Sequence, residues 1–188
     1  HSEYSIVDST LRVSEVVSLA AKDEQAALAI TDLNNLFGFV KFYKAARSKG
    51  IKPICGVDAW VEAHDPTQEP TRLLFLAESR DGYLKLCDWL TRAFRENQVR
   101  GRAILKRDWI ATSAATEGVF CLSGGWYGEV GIALRNGQTA SAERAINFWS
   151  AAFPDRFALE IHRAGFENEH LFVDSSVRLA AKAGVPAV

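Results

Sequence analysis

The sequence predicts an α/β fold built on a mainly parallel sheet, and three observations lead there. Short apolar runs at 26–31, 51–60, 73–76, 119–122 and 157–161 alternate with stretches whose apolar residues recur at helical spacing. Strands interleaved with helices need crossover connections, which make neighbouring strands parallel. About six such units fit the length, which suits a barrel-like arrangement better than a four-unit open sheet.

Taken in order, Ser9 and Thr10 are predicted N-caps of a helix carrying Val13, Val16, Val17 and Ala20 on one face. Residues 26–31 form the first buried strand. Phe39, Val40, Tyr43 and Ala46 recur at helical spacing, and Gly50 is a natural C′ stop. Residues 51–60 read as the next strand, and 64–70, polar with two prolines, as a loop. After the run at 73–76, Tyr83, Leu84, Leu86, Cys87, Leu90 and Phe94 form a helical stripe, which assigns Trp89 and Phe94 to the core. The strand at 119–122 ends in Ser123-Gly124-Gly125. Helices follow over 129–134 and 140–153, then a strand at 157–161, a helix over 171–183 and the start of a further strand at Val185. No internal repeat or low-complexity stretch divides the chain, so residues 1–188 read as one domain.

Composition excludes several classes. The 188 residues carry 22 Lys and Arg against 23 Asp and Glu, a net charge of −1, with 48% hydrophobic and 24% charged residues. These are the proportions of an ordinary globular protein, not of a disordered, collagen-like or disulfide-stapled one. A folded monomer of this size exposes ~9,000 Å² against ~30,000 Å² unfolded, enough burial for a real core. No apolar run reaches bilayer-spanning length and no signal peptide opens the sequence. The near-zero charge gives no global attraction to nucleic acid, so any such role needs a local patch. Cys55, Cys87 and Cys121 form no C-x-x-C pair and read as small core residues of a reducing, cytoplasmic compartment. The absence of Met and the strand-like terminus at Val188 lead to the expectation of a piece of a larger chain, truncated at both ends.

In a parallel α/β fold, chemistry gathers at the carboxyl ends of strands. The polar residues expected there are Asp32 in Thr31-Asp32-Leu33-Asn34-Asn35, Asp58, Arg72, Ser123-Gly124-Gly125, and Glu160-Ile161-His162-Arg163, joined by His1 and Asp8 from the start of the chain. His1, Asp8, Asp32 and Asp58 could together bind a divalent metal and activate water. On spacing alone a turn or capping role for Asp8 and Asp32 is the better reading. Ser123-Gly124-Gly125-Trp126-Tyr127-Gly128 lacks the glycine spacing and lysine of nucleotide-binding loops and reads as a tight turn. His64, His162 and His170 read as solvated. Arg92, Arg95, Arg100, Arg102, Lys106 and Arg107 form the densest basic stretch, read as a solvated face rather than a nucleic-acid contact.

Taken together and in order, these segments resemble the polymerase-and-histidinol-phosphatase (PHP) domain of bacterial DNA polymerase III alpha subunits. The segments that carry the resemblance are His1-Ser2-Glu3-Tyr4-Ser5-Ile6-Val7-Asp8, Ala29-Ile30-Thr31-Asp32 with Asn35-Leu36-Phe37-Gly38, Phe42-Tyr43-Lys44-Ala45-Ala46, Gly50-Ile51-Lys52-Pro53-Ile54-Cys55-Gly56, Leu122-Ser123-Gly124-Gly125, and Phe153-Pro154-Asp155-Arg156-Phe157-Ala158-Leu159-Glu160. The resemblance implies a distorted (βα)7-type barrel. It also implies that the residues form a PHP domain within a much larger polymerase, a DNA-directed nucleotidyltransferase of DNA replication that uses Mg²⁺ in a region outside this one. The implied partners are the proofreading exonuclease subunit, other polymerase III holoenzyme subunits and, through the parent chain, DNA, with no membrane.

Metal-binding members of the family resemble trinuclear phosphoesterases. Against that pattern, Leu33 stands where a His is expected, Asp58 where a Glu, Arg72 where a His, and Gly125 where a Cys or His. Leu33 and Gly125 offer no side-chain lone pair, and Arg72 is permanently cationic. At about 4 Å in an effective dielectric of about 20, a guanidinium and a divalent ion repel by ~8 kcal/mol. The vestigial pocket therefore comprises His1, Asp8, Asp32, Leu33, Asp58, Arg72 and Gly125, with no catalytic residue and no metal expected. Any residual ion would rest on His1, Asp8 and Asp58. Arg72 is expected to pair with Asp8 or Asp58 in place of the lost metal charge. The alternative is a metal-dependent phosphoesterase or 3′–5′ exonuclease using that residual set.

Overall fold

The computed structural model of the chain describes residues 1–6, 8–65 and 67–188. Its elements run α1 Val13–Lys22, β1 Ala27–Leu33, α2 Phe39–Ser48, β2 Lys52–Val61, β3 Thr71–Ala77, α3 Arg80–Glu96, a small hairpin of β4 Gln98–Val99 and β5 Arg102–Ala103, α4 Ser113–Thr116, β6 Val119–Leu122, α5 Glu129–Arg135, α6 Thr139–Ala152, β7 Phe157–Ala158 and α7 Glu169–Ala183.

Five strands form one sheet in the order β1-β2-β3-β6-β7, and among the described residues this sheet does not close into a barrel. The pairs β1/β2 and β6/β7 are parallel, and β3 runs against both its neighbours. The expected (βα)7 barrel is thus an open, mixed sheet here. The reversal at β3 follows from its connection. Residues 62–70 link β2 to β3, too short a path for the crossover a parallel pair needs, and the described ones among them hold no helix. The last strand is shorter than expected, since regular pairing covers only Phe157–Ala158. The chain's end then lies alongside, with Leu159 N–H donating to the Pro186 carbonyl and Val188 N–H to the Leu159 carbonyl. This is the beginning of the strand expected at Val185.

Local chemistry shifts several boundaries. Helix α1 begins at Val13 behind Arg12, with no side-chain cap; Ser9 instead accepts from the Leu11 N–H, so the predicted caps form the turn before the helix. In α2 the core face is Phe42 and Ala46, while Val40 and Tyr43 are exposed. In α3, Leu86, Trp89, Leu90 and Ala93 are buried, but Phe94 faces solvent, which corrects its assignment to the core. The β4–β5 hairpin falls within the basic stretch. Its turn residues Arg100 and Gly101 both have positive φ, 52° and 80°, as a two-residue turn matching strand twist requires. Ser79 caps α3 by accepting from the Gly82 N–H.

Two apolar clusters hold the layers together. The larger joins Val57, Ala59, Leu73 and Phe75 of the sheet to Leu86, Trp89, Trp149 and Phe153 of the covering helices. The smaller packs α1 and α2 on β1 through Val13, Val17, Ile30, Phe42 and Ala46. Fully burying each large side chain contributes roughly 1.5–3 kcal/mol. All three cysteines are free. Burial pushes the Cys55 thiol up to about 12 and raises that of Cys121 as well, so both are inert core groups as expected.

Candidate functional site

Strand periodicity decides which polar residues meet. Successive side chains on a strand point to opposite faces. On β3, Thr71, Leu73 and Phe75 are buried in the core, so Arg72 and Leu74 face the other way. On β2, Val57 and Ala59 belong to the same core, which sends Asp58 and Trp60 to Arg72's face. The register sets Trp60 opposite Arg72 and Asp58 opposite Leu74. Asp58 and Arg72 are therefore diagonal neighbours on one face. That face floors a cleft of about 640 Å³ lined by His1, Asp8, Thr31, Asp58, Arg72, Leu74, Gly124, Tyr127, Glu160 and His162.

Within it, four side chains close a ring of charge. The Arg72 Nη2 donates to Asp8 Oδ2 at 2.9 Å, and Nη1 reaches Asp58 Oδ2 at 3.3 Å. His1 completes the circuit, with Nε2 2.9 Å from Asp58 Oδ2 and Nδ1 3.3 Å from Asp8 Oδ2. Both ring nitrogens thus face carboxylates, a geometry that only the doubly protonated imidazolium satisfies with two donors. Accordingly the hydrogen bond to Asp58 raises the His1 pKa, against an opposing effect of burial and of the Arg72 charge. Arg72 is held from both sides, its guanidinium carbon 4.7 Å from the Trp60 ring and 5.0 Å from that of Tyr127.

A second pair lies beside the ring. His162 Nε2 is 2.8 Å from Glu160 Oε1, and the Trp126 N–H donates to Nδ1 at 3.3 Å. In the neutral ring Nδ1 is then the acceptor and Nε2–H the donor to Glu160. Glu160 raises the His162 pKa, again chiefly through the hydrogen bond.

Gly125 explains how His162 comes to be there. A Cβ at this position would lie 2.5 Å from Cε1 and Nε2 of the imidazole, and the residue already has φ of 51°. The ring fills the space a side chain at 125 would use. Gly124 is equally constrained, since a Cβ there would sit 2.1 Å from the Arg72 carbonyl oxygen.

Not every expected residue reaches the cleft. Asp32 lies inside β1, paired with Val57, and so points to the opposite face. It is 2% exposed and accepts from the Ser2 N–H and from the hydroxyls of Ser2 at 2.9 Å and Ser5 at 2.8 Å. It is neither a turn residue nor a cleft residue, but an anchor for the N-terminal segment. Leu33 donates its N–H to Ser5 Oγ at 3.0 Å and does not line the cleft. His162, read from sequence as solvated, is a half-buried member of the site. Tyr127 and Glu160 were missed as partners of Arg72 and His162. The only sequence signal for Glu160 and His162 was their place at the end of a strand. Val7, next to Asp8, and Pro66 of the 64–70 loop lie outside the described residues.

This donor set does not fit the multinuclear metal centre of the family's metal-binding members. A guanidinium occupies the space between the two carboxylates, and a histidine ring fills the place of a side chain at 125. Among the described residues no three or more His, Cys, Asp or Glu side chains are grouped to hold a metal.

The chain belongs to the PHP domain family, matching it over residues 1–164. It is 40% identical over 188 residues to the DNA polymerase III subunit alpha of Pseudomonas fluorescens and 38% identical over 188 residues to that of Escherichia coli K12. For the subunit of Buchnera aphidicola the identity is 34% over 189 residues. Each alignment takes in 100% of this chain and 16% of the relative, so the chain spans only a small part of their length. Among solved structures, a candidate metal-dependent phosphoesterase from Bifidobacterium adolescentis superposes with a TM-score of 0.59 at 12% identity, covering 95% of this chain and 80% of that one. An amidohydrolase from Chromobacterium violaceum gives 0.53 at 15% identity, covering 94% and 80%. At such identities the likeness is one of fold.

Proposed function

We propose that the chain is the PHP region of a replicative DNA polymerase III alpha subunit, serving there as a non-catalytic structural module. The observation that carries this reading is the closed ring of His1, Asp8, Arg72 and Asp58. The pocket holds its own cation, the Arg72 guanidinium, against both carboxylates where a divalent ion would have to sit. The ring also ties the first eight residues to strands β2 and β3, so its work is mechanical. In this reading the parent chain extends DNA with Mg²⁺ bound outside these residues, in the cytoplasm. The PHP surface docks the proofreading exonuclease subunit within the holoenzyme. No helix among the described residues is long and apolar enough to cross a membrane.

Elemental analysis after removal of adventitious metal, together with phosphoester turnover, tests the first half. The expected result is no stoichiometric Mn or Zn and no turnover. Stoichiometric metal accompanied by hydrolysis would establish the rival phosphoesterase or exonuclease based on His1, Asp8 and Asp58. Mixing the chain with the isolated exonuclease subunit tests the second half. A complex on gel filtration is expected, and two separate peaks would remove the docking role.

A further inference from the structure

A second basic run in the sequence has no part in the cleft. Across residues 41–52 the chain places Lys41, Lys44, Arg47, Lys49 and Lys52 with no Asp or Glu among them, although its net charge is −1. Lys41 is paired with Glu3 at 2.9 Å, and among the described residues the other four form no ion pair. The helix dipole accounts for a cation in the last turn of α2, which is Arg47, but not for those before it.

Helical geometry sorts these residues by face. Phe42 and Ala46, one turn apart, are buried in the core. Val40, Tyr43, Lys44 and Arg47 stand at spacings i, i+3, i+4 and i+7, so they share the opposite face. Val40 is 60% exposed and Tyr43 46%, and Phe37, just before the helix, is 72% exposed. Tyr43 is held edge-on by Phe39, with ring centroids 6.0 Å apart, and Phe39 leans in turn on Tyr83 of α3 at 5.7 Å. The outer face of α2 is therefore a strip of uncovered apolar and aromatic side chains alternating with cations that lack a counter-charge.

Those two properties select the occupant. Nucleic acid would supply charge, but its bases stack on flat rings, and the aliphatic Val40 at the centre of the strip offers none. A bilayer needs an apolar helix face free to insert, and that face of α2 is already buried in the core through Phe42 and Ala46. A protein segment bearing carboxylates beside apolar side chains matches the charge and the apolar surface together. Tyr and Arg are also enriched among the residues that carry binding energy at protein interfaces.

We propose that the outer face of α2, from Phe37 to Arg47, docks an acidic amphipathic segment of a partner protein, with Phe37 and Val40 receiving its apolar side chains and Lys44 and Arg47 its carboxylates. The proposal names a surface and a chemistry, and it does not depend on formation of the exonuclease complex above.

The probe is a labelled helical peptide of glutamate and leucine, mixed with the whole chain and followed by fluorescence anisotropy and by the amide shifts of an isotope-labelled sample. Shifts should concentrate between residues 37 and 47, and binding should weaken with salt. Lys44→Glu combined with Arg47→Glu should lower affinity roughly tenfold, and Phe37→Ser combined with Val40→Ser roughly fivefold. A lysine–leucine peptide should bind the doubly charge-reversed variant better than it binds the parent, a reversal that mere weakening of the fold does not produce. The shift map needs no variant, so it decides the matter even where a variant unfolds. Absent binding, shifts centred elsewhere, or variants that bind as the parent does overturn the proposal. Polyglutamate binding as tightly as the amphipathic peptide overturns it too, since charge alone would then suffice. Tighter binding by oligodeoxythymidine or by phosphatidylglycerol vesicles assigns the face to another class of partner and overturns it equally.

Discussion

Two carboxylates anchor the same N-terminal segment, and they do so by opposite means. Asp32 is buried and satisfied by neutral donors, the Ser2 N–H and the hydroxyls of Ser2 and Ser5. Asp58, one strand away and on the other face, is satisfied by charge, from Arg72 and His1. Neutral donors lose little when they leave water, so an Asp held by them needs no partner of opposite sign. A guanidinium and an imidazolium must be desolvated with their carboxylates, and the arrangement holds only while every member is present. The first anchor is a set of separable hydrogen bonds, the second an all-or-none circuit.

Breaking the circuit should therefore cost most. Arg72→Ala leaves Asp58 and Asp8 facing only His1, and we expect a loss of roughly 3–5 kcal/mol, the range for stripping one partner from a buried pair. Denaturant unfolding measures it, and a loss below that of Asp32→Ala would break the comparison. Arg72→Lys should recover only part, because an ammonium cannot reach two carboxylates as a fork. Asp32→Ala should cost somewhat less, about 2–3 kcal/mol, because it deletes charge-assisted hydrogen bonds but leaves hydroxyls that can turn elsewhere. Gly125→Ala comes next, at roughly 1–3 kcal/mol, from overpacking against the His162 ring. Adding His162→Ala should relieve most of that cost. Equal penalties with and without the imidazole would place the strain in the backbone alone.

The smallest effect is that of pH. His1 and His162 have folded pKa values raised above the unfolded value of about 6.5. Their stabilisation is complete below the unfolded pKa and disappears as pH rises through the raised, folded values. The melting temperature should accordingly fall as pH rises from about 6.5 through the raised folded values. His162→Gln should flatten part of that fall. A melting temperature that climbs over this interval would contradict the imidazolium ring.

The alternation of strand and helix was legible in the sequence because it depends on local periodicity. Most elements fall within a few residues of their predicted places. The strand order was not legible. The reversal of β3 turns on the short link 62–70 to β2, and the loop read there at 64–70 carried no statement of direction. In the site, Arg72 and Asp58 could be named from resemblance, but their meeting depends on the parity of two paired strands. Asp32 shows the cost of missing that parity. Its predicted strand ended at residue 31, whereas β1 runs on to Leu33 and turns Asp32 away from the cleft. His162 was misread because its role exists only through the missing side chain at Gly125, 37 positions earlier, and no local pattern links the two.

That link ties two distant positions into one unit. Any side chain introduced at Gly125 meets an imidazole already in its seat, while removing the imidazole first leaves Glu160 without its partner. Each single change is opposed, and only the two together restore the fit.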